Sequence, residues 1–255
     1  MNPLKTRLAA GQPAFGVLQS MPSPQLAQTL AAAGLDWLFI DMEHGPIDLA
    51  DCHTLIAATA GTACAPIVRV PADNLAVARP VLDSGAMGIV FPMVCSGEQA
   101  AHALAQLRYP PAGTRGVGPL YAPQRWGLSM AAYVQAANAQ VAAFVLIKHI
   151  EAVRNLDAIL AVPGIDVALI APHDLSASLG HMGELGHPEV TAAIAQAEAK
   201  ILASPAALGG LAQGLEDARA KLARGYRAIL LGIDVFLLQG LVGGLLDGLR
   251  GEGQR

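Results

Sequence analysis

One unit recurs along this 255-residue chain: an amphipathic run, a glycine, about two residues, then a short unbroken apolar run. It appears as AAAGLDWLFID around Gly34, LDSGAMGIVFP around Gly85 and LARGYRAILLG around Gly225. A glycine after a helix takes the left-handed conformation at no steric cost and ends it. The short loop then feeds a strand whose apolar run does not alternate, so both of its faces are covered, as in a parallel sheet. Repetition of this unit constrains the chain to an α/β fold.

The same reading along the chain predicts strands over residues 14–20, 37–41, 66–70, 87–94, 141–147, 167–170, 208–212 and 228–231. Helices are predicted over 24–33, 49–60, 75–84, 98–108, 129–140, 152–160, 188–203, 215–224 and 235–249, with Ser129 as an N-cap. Eight strands with helices between them argue for a single (β/α)8 TIM barrel spanning residues 1–255, with the seventh strand the weakest. The competing architecture is an open doubly wound sheet, but no GxGxxG follows the first strand and GxxxxGK[ST] is absent. Residues 109–128 are rich in Pro, Gly and Arg and too long for a simple connector, which marks a functional or interface loop.

Composition narrows the partners. Apolar residues make up 53% of the chain, enough for a large core, while only 14% are charged, so part of the surface is expected to be covered by copies of the same chain. A net charge of −4 and 4% aromatic residues leave no basic footprint or stacking platform for nucleic acid. Cys52, Cys64 and Cys95 form no CxxC pair and read as reduced, mostly buried thiols of a cytoplasmic protein. The N-terminal stretch lacks the apolar region of a secretory signal. The late run 235–246 is short for a membrane span and holds Gln239 and three glycines, so no membrane partner is expected.

The stretch Trp37-Leu-Phe-Ile-Asp-Met-Glu-His44 ends a buried strand in a carboxylate, then adds a second carboxylate and an imidazole. In a barrel, chemistry sits where strands run out at their C-terminal ends. Those ends supply Asp41, Glu43 and His44 from the second strand, Arg69 from the third, Lys148 and His149 from the fifth, and His173 and Asp174 from the sixth. Imidazole accepts a proton near neutral pH, and a guanidinium holds a carboxylate or a developing enolate oxygen. The set suits acid–base chemistry on a small acidic molecule. Plain structural roles compete: Arg69 pairing with a rim carboxylate, His149 opening a helix, Asp234 capping the last helix. His53, His102, His181 and His187 read as surface or capping groups.

The segments FIDMEHGPIDL, PIVRVP, LDSGAMGIVFPMV, RYPPAGTRGVG, IEAVRNLDAIL and IAPHDLSASLG resemble the HpcH/HpaI aldolase family, in the same order through nearly the whole chain. The resemblance implies a (β/α)8 barrel and a class II pyruvate aldolase of aromatic or sugar-acid catabolism. Such an enzyme cleaves 4-hydroxy-2-oxo acids to pyruvate and an aldehyde, using a divalent metal such as Mg, Mn or Co. It also implies a homohexamer whose last helix swaps onto a neighbouring subunit, for which the apolar run 235–249 is suited. By that resemblance His44 is the base acting on the 4-hydroxyl, oriented by Asp41 and Glu43. Asp83 raises the basicity of that histidine from across a subunit interface, in the direction a nearby anion requires. Arg69 stabilises the enolate oxygen, Asp174 and Glu43 belong to the metal site, and the backbone around His173 and Asp174 holds the substrate carboxylate. Arg115, Arg125 and Trp126 of the long loop help define the aldehyde pocket.

Strand five departs from the family pattern. Gln-Ile-Glu there supplies a metal-binding carboxylate and an amide contact to substrate; this chain has Leu146-Ile147-Lys148. Hard divalent cations want oxygen ligands, and an ammonium beside them repels. Ala171 also stands where the family has Gly. Four readings stay open: a weakened metal site on Asp174 and Glu43, an ammonium standing in for the metal, a Schiff base on Lys148, or a relative that binds 2-oxo acids without cleaving them. A citrate-lyase-like activity on acyl-CoA is the enzymatic alternative. An aldolase with impaired or altered metal dependence is the favoured expectation.

Overall fold

Eight parallel strands close into a barrel in chain order, with β8 hydrogen-bonded back to β1. The structure, a computed structural model, describes residues 2–72 and 74–251; residues 1, 73 and 252–255 of the expected domain lie outside these. The strands are β1 (Ala14–Gln19), β2 (Trp37–Asp41), β3 (Ala65–Arg69), β4 (Gly88–Phe91), β5 (Ala142–Ile147), β6 (Val167–Ile170), β7 (Ala207–Leu211) and β8 (Ala228–Ile233). Closure removes the open doubly wound alternative. The weak seventh strand is present and pairs with both neighbours. Its Gly209 is required: a Cβ there would lie 2.5 Å from Leu169 Cδ2 and 2.7 Å from the Ala228 carbonyl oxygen.

The helices are α1 (Pro3–Ala9), α2 (Pro24–Ala32), α3 (Leu49–Ala58), α4 (Ala78–Asp83), α5 (Gly97–Ala105), α6 (Ala122–Arg125) and α7 (Met130–Gln140), followed by α8 (Ile150–Arg154), α9 (Leu156–Leu160), α10 (Pro172–Ser178), α11 (Pro188–Leu202), α12 (Leu215–Ala223) and α13 (Asp234–Arg250). A 3₁₀ turn, Leu75–Val77, leads into α4. Gly34, Gly85 and Gly225 have φ of 93°, 107° and 98°, as the recurring unit requires. Ser129 caps α7 by accepting from the Ala132 amide. The helix predicted over 152–160 breaks at Asn155 into α8 and α9.

Two apolar layers hold the barrel. Inside it, Trp37, Phe39, Ile67, Phe144, Leu146 and Leu169 stack between the strands. Outside it, residues such as Leu55, Ile56, Val81 and Ile201 fill the space beneath the helices. The short helix α1 was not anticipated. Its Leu4 joins the inner cluster, while the Asn2 side chain accepts from the Leu4 and Lys5 amides and donates to the Met87 and Gln140 carbonyls. Because Ala14, Trp37, Ala65 and Ala142 at the strand starts share that cluster, α1 closes the N-terminal end of the barrel and leaves the other end open for chemistry.

One expectation about the C-terminus needs correction. Ile233, not Asp234, is the N-cap of α13. The Asp234 carboxylate, buried, instead accepts from the Ser20 amide and hydroxyl and from the Met21 amide, at 2.9, 2.8 and 2.9 Å. It therefore stitches the end of β8 to the loop after β1, at the seam where the barrel closes. The apolar side of α13 does not lie on its own barrel: Phe236, Leu241, Leu245 and Leu249 are 65, 65, 63 and 85% exposed. Among the described residues no helix is long and apolar enough to cross a membrane.

Candidate active site

Parallel pairing of β2 with β3 sets Asp41 opposite Arg69 at the C-terminal end of the barrel. The guanidinium takes the Asp41 carboxylate with two donors, Nε to Oδ1 at 2.8 Å and Nη2 to Oδ2 at 2.5 Å. Oδ1 also accepts the Glu43 and His44 amides at 2.9 and 3.2 Å. Burial by itself would raise this carboxyl, but the Arg69 guanidinium and the two amides outweigh it and hold Asp41 below the usual carboxylate range. Asp41 thus shapes the turn carrying Glu43 and His44 through its backbone; its carboxylate does not hold the imidazole. Gly45 lets that turn close, since a Cβ there would lie 2.5 Å from the Asp41 carbonyl oxygen.

Glu43 is the hub of the site. Its Oε1 lies 2.7 Å from Lys148 Nζ, while Oε2 lies 3.2 Å from Arg69 Nη1 and 3.8 Å from His44 Nε2. Lys148, at the end of β5 and 9% exposed, also faces Asp174 Oδ1 at 3.8 Å. The His44 side chain remains 62% exposed. Arg69 additionally lies 5.3 Å from the Phe39 ring centroid, which fixes its plane from below. A cavity of about 230 Å³ opens at this mouth; His44, Arg69, Leu146, His173 and Asp174 all line it. Ala171 lines it too, at φ −111°, a conformation that carries a methyl group without strain.

Other expected residues lie elsewhere. Asp83, at the end of α4, pairs with Arg115 at 2.7 Å and has no recorded contact with His44 of its own chain. Arg115 is fully buried, donates to the Tyr133 hydroxyl at 3.1 Å and lies 4.6 Å from the Tyr109 ring centroid. Arg125 turns to His53, and the Trp126 indole donates to the Gly85 carbonyl against Tyr133. The long loop therefore sends these three side chains into its own anchoring, not into the mouth cavity, which corrects the aldehyde-pocket expectation. His149 caps α8 and His187 caps α11, as expected of capping groups. His181, Glu184 and His187 place three ligand atoms within 4.8 Å of one another on the segment between α10 and α11, a cluster the sequence reading missed although the spacing of three residues was visible.

The sequence model of the HpcH/HpaI aldolase/citrate lyase family matches residues 15–239. The chain belongs to that family. It is 42% identical to a hydroxypyruvate/pyruvate aldolase of Cupriavidus necator over 92% of this chain and 88% of that protein. It is 39% identical to a 4-hydroxy-2-oxo-heptane-1,7-dioate aldolase of Escherichia coli over 93% and 90%. The fold superposes on a crystal structure of an HpcH/HpaI aldolase/citrate lyase family protein from Burkholderia cenocepacia with a TM-score of 0.91, at 36% identity and 98% and 100% coverage.

Members of this family generally depend on a divalent metal. The donor set at the barrel mouth does not fit one. The two carboxylates expected to serve it, Glu43 and Asp174, flank the Lys148 ammonium, which is already hydrogen-bonded to the first. A dication about 4 Å from that ammonium would meet a repulsion of roughly 8 kcal/mol at an effective dielectric near 20.

Proposed function

We propose that this chain is a carbon–carbon lyase that cleaves 4-hydroxy-2-oxo acids to pyruvate and an aldehyde, and runs the aldol addition in reverse. The observation that carries this reading is an exposed imidazole, His44, and a buried guanidinium, Arg69, on one small cavity, in a chain whose relatives are pyruvate aldolases. His44 accepts the proton of the 4-hydroxyl. The C3–C4 bond breaks, the aldehyde leaves, and the electron pair moves into the C2 carbonyl as an enolate oxygen. Arg69, aligned by Asp41, holds that oxygen, and a proton returned to C3 completes pyruvate. We place the substrate carboxylate against the backbone of His173 and Asp174. A cavity of about 230 Å³ suits a short oxo acid better than an acyl-CoA.

We also read the protein as a cytoplasmic homo-oligomer, a hexamer by resemblance, in which the apolar face of α13 is covered by a neighbouring copy. The three free thiols are consistent with a reducing compartment. Asp83 is held by Arg115 within its own chain, so its role toward a histidine belongs to the assembled oligomer. The test is release of pyruvate from a 4-hydroxy-2-oxo acid, comparing the unsubstituted chain with His44→Ala. Turnover should fall by roughly 10²- to 10⁴-fold while pyruvate binding changes little. Unchanged turnover would remove His44 from the mechanism.

A further inference from the structure

We propose that Lys148 is the resident cation of this site: its ammonium bridges Glu43 and Asp174 where a divalent metal would otherwise sit, and the chain binds 2-oxo acids and their enolates with no metal. The ligand class rests on the lyase reading above; the exclusion of metal rests on the position and charge of Lys148 and does not need that reading.

Position comes first. Lys148 Nζ lies 2.7 Å from Glu43 Oε1 and 3.8 Å from Asp174 Oδ1. The other Glu43 oxygen lies 3.2 Å from Arg69 as an ion pair without a hydrogen bond, so each of its oxygens stands against a cation of the chain itself. The Lys148 and Glu43 side chains are each only 10% exposed, which makes this a largely desolvated pair. Removing one partner of such a pair leaves the other charge unpaired, and that cost holds the geometry in place.

Charge comes second. Asp41, Glu43 and Asp174 against Arg69 and Lys148 leave the mouth with one net negative charge. A glutamate at position 148 would leave three. The difference of two charges is that of a divalent cation, so lysine at 148 restores without metal the balance that a metal would restore for glutamate. A monoanionic oxo acid then meets the same net charge in either case. Lys148 does not line the cavity; it acts through Glu43 and Asp174, and is a positioning residue rather than a catalytic one. Its Nζ is hydrogen-bonded to Glu43 and stands outside the cavity lining, away from where a substrate carbonyl would sit, which argues against a Schiff base.

The test has two independent arms. In the first, Mn²⁺ is titrated into chelator-stripped protein and free Mn²⁺ is followed by electron paramagnetic resonance, for the unsubstituted chain and for Lys148→Glu. The unsubstituted chain should take up no stoichiometric Mn²⁺. Lys148→Glu should take up one per chain, at least roughly 100-fold more tightly. In the second, oxalate, a planar mimic of pyruvate enolate, is titrated calorimetrically with excess EDTA or with Mn²⁺. Binding should be the same in both for the unsubstituted chain and for Lys148→Arg, should be lost in Lys148→Gln, and should require Mn²⁺ in Lys148→Glu. One tightly bound Mn²⁺ per unsubstituted chain overturns the proposal, as does oxalate binding that EDTA abolishes. So does a Lys148→Glu chain that keeps its thermal transition but binds no Mn²⁺. A borohydride-trapped adduct with pyruvate overturns it in favour of a Schiff base. Failure of the lyase reading shows separately, as no pyruvate release and no oxalate binding in any chain, while the Mn²⁺ arm still decides whether Lys148 excludes metal.

Discussion

Replacing Asp41 by Asn removes one charge from the most buried ion pair of the site and changes almost nothing else in shape. The side chain is 3% exposed and its Arg69 partner 10%, so solvent screening is small. Asparagine keeps one acceptor oxygen for the Glu43 and His44 amides, but presents an NH₂ group where Arg69 now meets a second carboxylate oxygen. Breaking a buried pair from one side costs on the order of 3–5 kcal/mol. Glu43 remains 3.2 Å from Arg69, so the lower end of that range applies. For a chain of this size, about 3 kcal/mol lowers the thermal midpoint by roughly 6–12 °C. The pH dependence follows from Asp41 titrating below its unfolded value near 3.9. As pH falls, the unfolded chain binds this proton first, so the stabilisation is complete above about pH 5 and is lost as pH drops through the depressed folded value. Urea unfolding of both chains between pH 3 and 7 measures this directly. The gap between them should be full at pH 7 and shrink toward acid. A variant within about 1 kcal/mol of the parent at pH 7, or a gap that widens in acid, would refute the buried-pair account.

The remaining expectations concern the thiols and the last helix. Burial pushes the Cys52 and Cys64 thiols up to about 12, the former fully enclosed on the buried face of α3. Native protein at pH 8 should therefore leave both unmodified by iodoacetamide over hours, with all three cysteines reacting once unfolded; rapid native labelling of Cys52 would contradict the packing. On the proposed oligomer, Leu241→Asp with Leu245→Asp on the exposed face of α13 should lower the mass measured by light scattering without unfolding the barrel; an unchanged mass would mean that this face is not an interface.

Much of the site was legible because it is local. An apolar strand that stops at Asp41, with Glu43 and His44 in the next turn, is a contiguous signal, and the C-terminal end of a strand is where barrel chemistry sits. Arg69 was found for the same reason. Of its two competing readings, the rim ion pair with Asp41 is present; Arg69 also lines the cavity, so the pairing leaves room for the proposed substrate contact. The unforeseen helices had local signals as well, Asn2 with Pro3 opening α1, Pro123 in the first turn of α6 and Pro172 opening α10, the usual first-turn chemistry. They escaped because the first was read only for targeting, the second only as part of the long loop and the third only as a strand end.

By itself the sequence determined the class and order of the elements. Apolar runs, helix-ending glycines and caps are properties of neighbours along the chain, and they specify eight strands and the helices between them whatever lies far away. Tertiary structure decided who meets whom. Closure of the barrel brings Lys148 to Glu43 across 105 residues, and the long loop delivers Arg115 to Asp83 and withdraws its arginines from the mouth. No periodicity encodes such meetings, because register and curvature set the distance between two charges on different strands. An ammonium left free and one locked between two carboxylates read the same in sequence, and only the distances separate them.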